Sequence, residues 1–152
     1  MSSLLLSHLI REQAAIGEFL DLLEQEAQAM SEGDFVRLSS LSEHKSQLTD
    51  QIAQLDRLRE AEQLALGYAA DRSGADAAAA AGNPALQHAW SGLLDHAAQA
   101  HERNHRNGVL IHTHLDFTRQ AINFLQARGQ PLYGPDGVHQ TGSASGNSLG
   151  LG

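Results

Sequence analysis

Residues 101–114 read HERNHRNGVLIHTH, and the first five satisfy the H-E-x-x-H pattern. In that pattern two histidines one helical turn apart hold zinc, and the glutamate after the first acts as general base. Here the ligands would be His101 and His105 and the base Glu102. The chemistry asks for more: a catalytic zinc takes a third protein ligand and needs a cleft for its substrate. His112 lies two turns further on, too far along a straight helix to complete the set. On a wheel at about 100° per residue, His101, His105 and His112 fall within about 40° of each other and about 90° from the apolar seam, where histidines are ordinarily solvated. The chain has no glycine-rich phosphate loop. Its acidic residues are scattered along helix faces. These residues predict no enzyme, no metal and no cofactor. The alternative is a metal-binding helical protein or enzyme that uses the His101/His105 face.

The elements that position these residues are helices. Across 4–30, Leu5, Leu9, Ile16, Leu20, Leu23, Ala27 and Met30 recur in steps of three and four with one position skipped at Glu12 or Gln13, the stripe of a long amphipathic helix. SEGD at 31–34 ends it, with Gly33 suited to a left-handed cap and Asp34 to capping the next helix. The second helix carries Leu38, Leu41, Lys45, Leu48, Ile52, Leu55, Arg59 and Glu62 along one seam. Lys45 is expected to run its stem over apolar surface and keep its ammonium in water. Residues 67–84 change composition abruptly, and glycine and aspartate around a short alanine run predict a flexible Ala/Gly-rich connection that can form helical turns but no stable isolated helix. Asn83 and Pro84 then start a third helix, about 65 Å long if it reaches residue 128. On it Leu93, Ala97, Ala100, Asn104, Gly108, Ile111, Leu115, Thr118, Ile122 and Leu125 form a seam. A polar Asn104 in that seam would fix register, and Gly108 would mark a close approach of backbones, so Asn104, Asn107 and Gly108 read as a packing motif. A second stripe of Leu110, Phe117, Ala121 and Phe124 lies about 130–150° away and is either core or a groove for a partner helix.

The fold class predicted is all-α: an antiparallel bundle of three long helices over 1–128, then a flexible tail at 129–152. The tail follows from its Gly, Ser and Asn content and lack of periodicity. A net charge of −8 with no run of Lys or Arg argues against a nucleic-acid or anionic-membrane partner. There is no cysteine and no apolar run of membrane-spanning length, so the expectation is a soluble cytosolic protein whose partners are proteins.

Three segments together resemble the FlgN family of flagellar type III export chaperones. GDFVRLSSLSEHKSQL is similar to that family's Asp-x-x-x-Leu-x-x-Leu-x-x-x-Lys pattern, here Asp34, Leu38, Leu41 and Lys45, with Arg59 further on. NHRNGVLI resembles its Asn-x-x-Asn-Gly segment at Asn104, Asn107 and Gly108, and LYGPDG its Leu-Tyr-Gly-x-Asp-Gly ending. The alanine-rich stretch at 75–81 is not part of the resemblance. The resemblance implies a cytosolic chaperone that binds the C-terminal helices of the hook-filament junction proteins FlgK and FlgL and delivers them to the export gate protein FlhA. It also implies that the third helix contacts the client and that Tyr133 contacts the gate; on that helix the stripe of Leu110, Phe117, Ala121 and Phe124 is the candidate client surface.

Overall fold

The computed structural model describes residues 3–127, all within or between four α-helices: α1 (Ser3–Glu32), α2 (Phe35–Ala65), α3 (Arg72–Ala81) and α4 (Pro84–Ala127). The predicted tail at 129–152 lies outside the described residues. The chain divides into two compact units, Met1–Asn107 and Gly108–Gly152.

Helix ends follow local chemistry. Gly33 adopts φ +69°, and the N–H of Asp34 reaches the Ala29 carbonyl at 2.9 Å, so two carbonyls orphaned at the end of α1 are capped within the turn. Asp34 then accepts from the Arg37 N–H at 3.1 Å and opens α2. Asn83 accepts from the Leu86 N–H at 2.9 Å and opens α4 at Pro84, as its sequence predicts.

Between them the expected flexible connection is a helix. Asp71 caps α3 by accepting from the Gly74 N–H at 2.9 Å, and those hydrogen bonds hold its carboxyl below the usual range. Ala75, Ala78 and Ala79 are buried against Leu5, Leu9, Leu86 and Trp90. Alanine runs of this length do not hold a helix in isolation, and packing supplies what propensity lacks. The chain also approaches itself closely here, because a Cβ on Gly74 would sit 1.8 Å from the Ala69 carbonyl oxygen.

In the first unit α1 is buried on two sides. Leu5, Leu9, Ile16, Leu20 and Leu23 join the core shared with α3 and α4. Ala15, Leu22 and Ala29 join Leu41, Leu48 and Leu55 of α2 in a second cluster. The buried positions repeat every seven residues: Leu41, Leu48 and Leu55 on α2, and Leu86, Leu93, Ala100 and Asn107 on α4. That period is the mark of helices packed along a seam at small crossing angles. Glu12 meets Arg59 and Glu26 meets Lys45, so α2 runs antiparallel to α1.

Candidate functional site

Two buried polar clusters hold the first unit together. In one, the Asn107 amide on α4 donates to the Leu23 carbonyl at 2.8 Å and to Glu26 Oε1 at 2.9 Å. Lys45 Nζ from α2 lies 3.3 Å from the same carboxylate oxygen and 5.9 Å from the Phe19 ring centroid. Three helices therefore meet at one carboxylate. Lys45 does not keep its ammonium in open water as its sequence context suggests, because a buried Glu26 needs a counter-charge more than the lysine needs hydration. The seam also passes through a different asparagine than expected. Asn107 is buried and Asn104 is exposed. Gly108 marks no close approach either: a Cβ there would meet no described atom within 4 Å.

The second cluster is built on Arg59. Its Nε donates to Glu12 at 2.8 Å and its Nη1 to the Gln63 side-chain oxygen at 2.5 Å, and Nη2 pairs with Asp56. Its guanidinium carbon lies 5.3 Å from the Trp90 ring centroid. Burial alone would lower the Arg59 pKa, but hydrogen bonds and charge from Glu12 and Asp56 raise it. For Glu12 the balance reverses: burial first, then the hydrogen bond with Asp56, outweigh Arg59 and push the carboxyl up to about 7. Between the two clusters lies an apolar cleft of about 230 Å³ lined by Ile16, Phe19, Thr49, Ile52, Ala97 and Ala100.

The two histidines of the H-E-x-x-H pattern are solvated. His101 and His105 are exposed, and Glu102 is engaged by Arg106 at 3.1 Å, an ordinary one-turn surface pair. Among the described residues no group of three His, Asp or Glu side chains is gathered to hold a metal.

In the second unit, residues 108–127 of α4 carry several exposed apolar side chains, while Ile111, Ile122 and Leu125 are half-buried. Leu110 is 45% exposed, Phe117 69% and Phe124 59%, and Ala121 is exposed with them. Leu110, Phe117 and Phe124 recur every seven residues and form one stripe, with Ala121 as a small position between the two rings. Val109 and Leu115, absent from the predicted stripe, are exposed as well. The polar side of this segment is tied by local pairs, Asp116 lying 3.5 Å from His112 and 3.6 Å from Arg119. Exposed contiguous apolar surface of this kind ordinarily marks an interaction site. The residue expected to contact the gate, Tyr133, lies outside the described residues. Among the described residues no helix is long and apolar enough to cross a membrane.

Residues 1–141 match the family described as FlgN protein. The chain is 31% identical over 151 residues to a flagella synthesis protein FlgN from Yersinia enterocolitica, covering 93% of this chain and 97% of the relative. A second flagella synthesis protein FlgN, from the O:8 serotype of that species, is 30% identical over the same extent. One from Proteus mirabilis is 32% identical over 69 residues, 45% of this chain and 47% of the relative. No solved structure matches. The motifs that meet at Glu26 and Arg59 and the match along nearly the whole length agree: the chain belongs to the FlgN family, whose matched relatives are flagella synthesis proteins.

Proposed function

We propose that this protein is a cytoplasmic export chaperone that holds the C-terminal helices of the hook-filament junction proteins FlgK and FlgL and delivers them to the export gate protein FlhA. In this reading the three long helices form an antiparallel bundle. Leu110, Phe117, Ala121 and Phe124 receive the client, and Tyr133 engages the gate. The observation that carries the reading is the exposed apolar stripe at 110–124 on a helix of a flagella synthesis family member. An amphipathic client helix laid on it would cover both phenylalanine rings, with its own side chains entering the space above Ala121. Affinity would come from apolar burial, and release from competition at the gate, with no bond made or broken.

The test is calorimetric titration of the protein with a C-terminal helical fragment of FlgK, with zinc titrated in parallel. Saturable binding of the fragment, and no zinc binding, supports the chaperone. Tight stoichiometric zinc binding with no response to the fragment would move the function to His101 and His105.

A further inference from the structure

Gln63 is fully buried and sits between the Arg59 cluster and α3. Its side-chain oxygen accepts from Arg59, while its Nε2 donates to the carbonyls of Ala69 at 2.7 Å and Asp71 at 3.1 Å. It thereby holds the connection that leads into the cap of α3. From the middle of α3, Asp76 accepts the indole N–H of Trp90 at 2.7 Å, and the Trp90 ring lies over Arg59. The contacts close a circuit: Glu12 to Arg59, Arg59 through Gln63 to α3, and α3 through Asp76 and Trp90 back to Arg59.

The charges in this circuit do not balance. Arg59 is one cation between two carboxylates, of which Asp56 keeps 44% of its side-chain exposure and Glu12 only 5%. Water is shut off from Glu12, so the charge that Arg59 leaves uncompensated bears on that carboxyl and favours its protonated form. The groups facing that carboxyl are Arg59 and Asp56 from α2; α4 contributes the neutral Trp90, behind which stands Asp76 of α3. On α1 itself His8 lies one turn away, buried, its Nδ1 without a hydrogen-bond partner among the described atoms.

We propose that the Glu12–Arg59 site is a proton-operated latch on α3, closed when Glu12 carries a proton and loosened when it is ionised. Opening α3 releases Gln63 and Trp90 from Arg59, lets water reach Glu12 and returns its carboxyl toward an ordinary value. The closed state binds the proton more tightly than the open state, so it is favoured at low pH. That advantage is complete below about pH 4.5 and is lost as pH rises to about 7.

The experiment is amide hydrogen exchange of the whole chain from pH 5 to 8, corrected for intrinsic rates and read at Ala78 and Ala79. Protection there should fall by about tenfold per pH unit at most as pH approaches 7, then level off. In Glu12→Gln it should not change with pH, and in His8→Gln the dependence should persist. Should Glu12→Gln fail to fold, carboxyl-carbon NMR of Glu12 in the native chain decides: a midpoint near 7 supports the latch. A midpoint below about 5, the range of a free glutamate, overturns it. Protection at α3 that ignores pH, that matches the slowest core amides throughout, or that loses its dependence in His8→Gln also overturns it.

Discussion

Asn107 does the work that its neighbour Asn104 was expected to do, and the reason is a difference of period. A seam followed at 3.6 residues per turn drifts from Ala100 to Asn104, whereas helices packed along each other bury every seventh residue, which leads from Ala100 to Asn107. Because Asn107 bonds both the Leu23 carbonyl and Glu26, Asn107→Ala should cost about 1–3 kcal/mol in urea unfolding, the range for leaving buried polar groups unpaired. Asn104→Ala, exposed, should shift stability by less than about 0.5 kcal/mol. Arg59→Ala should be worse than either, about 3–5 kcal/mol, since it strands Glu12 and Gln63 together. The asparagines and charged residues were visible in the sequence as types, but their partners were not. Glu12, Glu26 and Gln63 have side chains that ordinarily face water, and only the pairing of α1 with α2 shows that three of them are buried.

At the scale of elements, the three long helices were legible because each carries its own evidence: a stripe of leucines, a capping aspartate or asparagine, a glycine where φ turns positive. The short helix α3 carried little of that. Alanine packs well but contributes no periodic contrast, so Ala75, Ala78 and Ala79 look the same in the sequence as the exposed Ala77 and Ala80 beside them. Their burial depends on Leu5, remote in sequence, and on Leu86 and Trp90 of the helix that follows. Two glycines on helices make the difference measurable. Gly74→Ala would drive a Cβ into the Ala69 carbonyl and should destabilise the chain by about 3 kcal/mol, the upper part of the overpacking range. Gly108→Ala meets nothing and should stabilise by about 0.5–1 kcal/mol, through the helix propensity of alanine. Thermal unfolding of the two variants side by side checks both signs; a destabilised Gly108→Ala would restore the close approach that the sequence suggested at that position.

For the molecule as a whole, the question is why a chain with two ordered polar clusters and two apolar ones should leave Leu110 and Phe117 so exposed. Burying a phenylalanine side chain is worth about 1.5–3 kcal/mol, so a stripe of this size left outward offers most of the driving force for binding a helix. The stripe itself was legible from its spacing, but whether it was core or groove was not, since both give the same repeat. Phe117→Asp with Phe124→Asp distinguishes them. If the stripe serves a partner, the double variant keeps its far-UV helicity, and its unfolding free energy in urea stays within about 0.5 kcal/mol, the usual range for surface substitutions. Its affinity for the FlgK fragment should then fall by at least about a hundredfold, the equivalent of about 2.7 kcal/mol. Unfolding of the variant would make the stripe core. A stable variant that still binds the fragment as tightly as the native chain would place the client elsewhere, and the apolar cleft at Ile16, Phe19 and Ile52 would be the next surface to substitute.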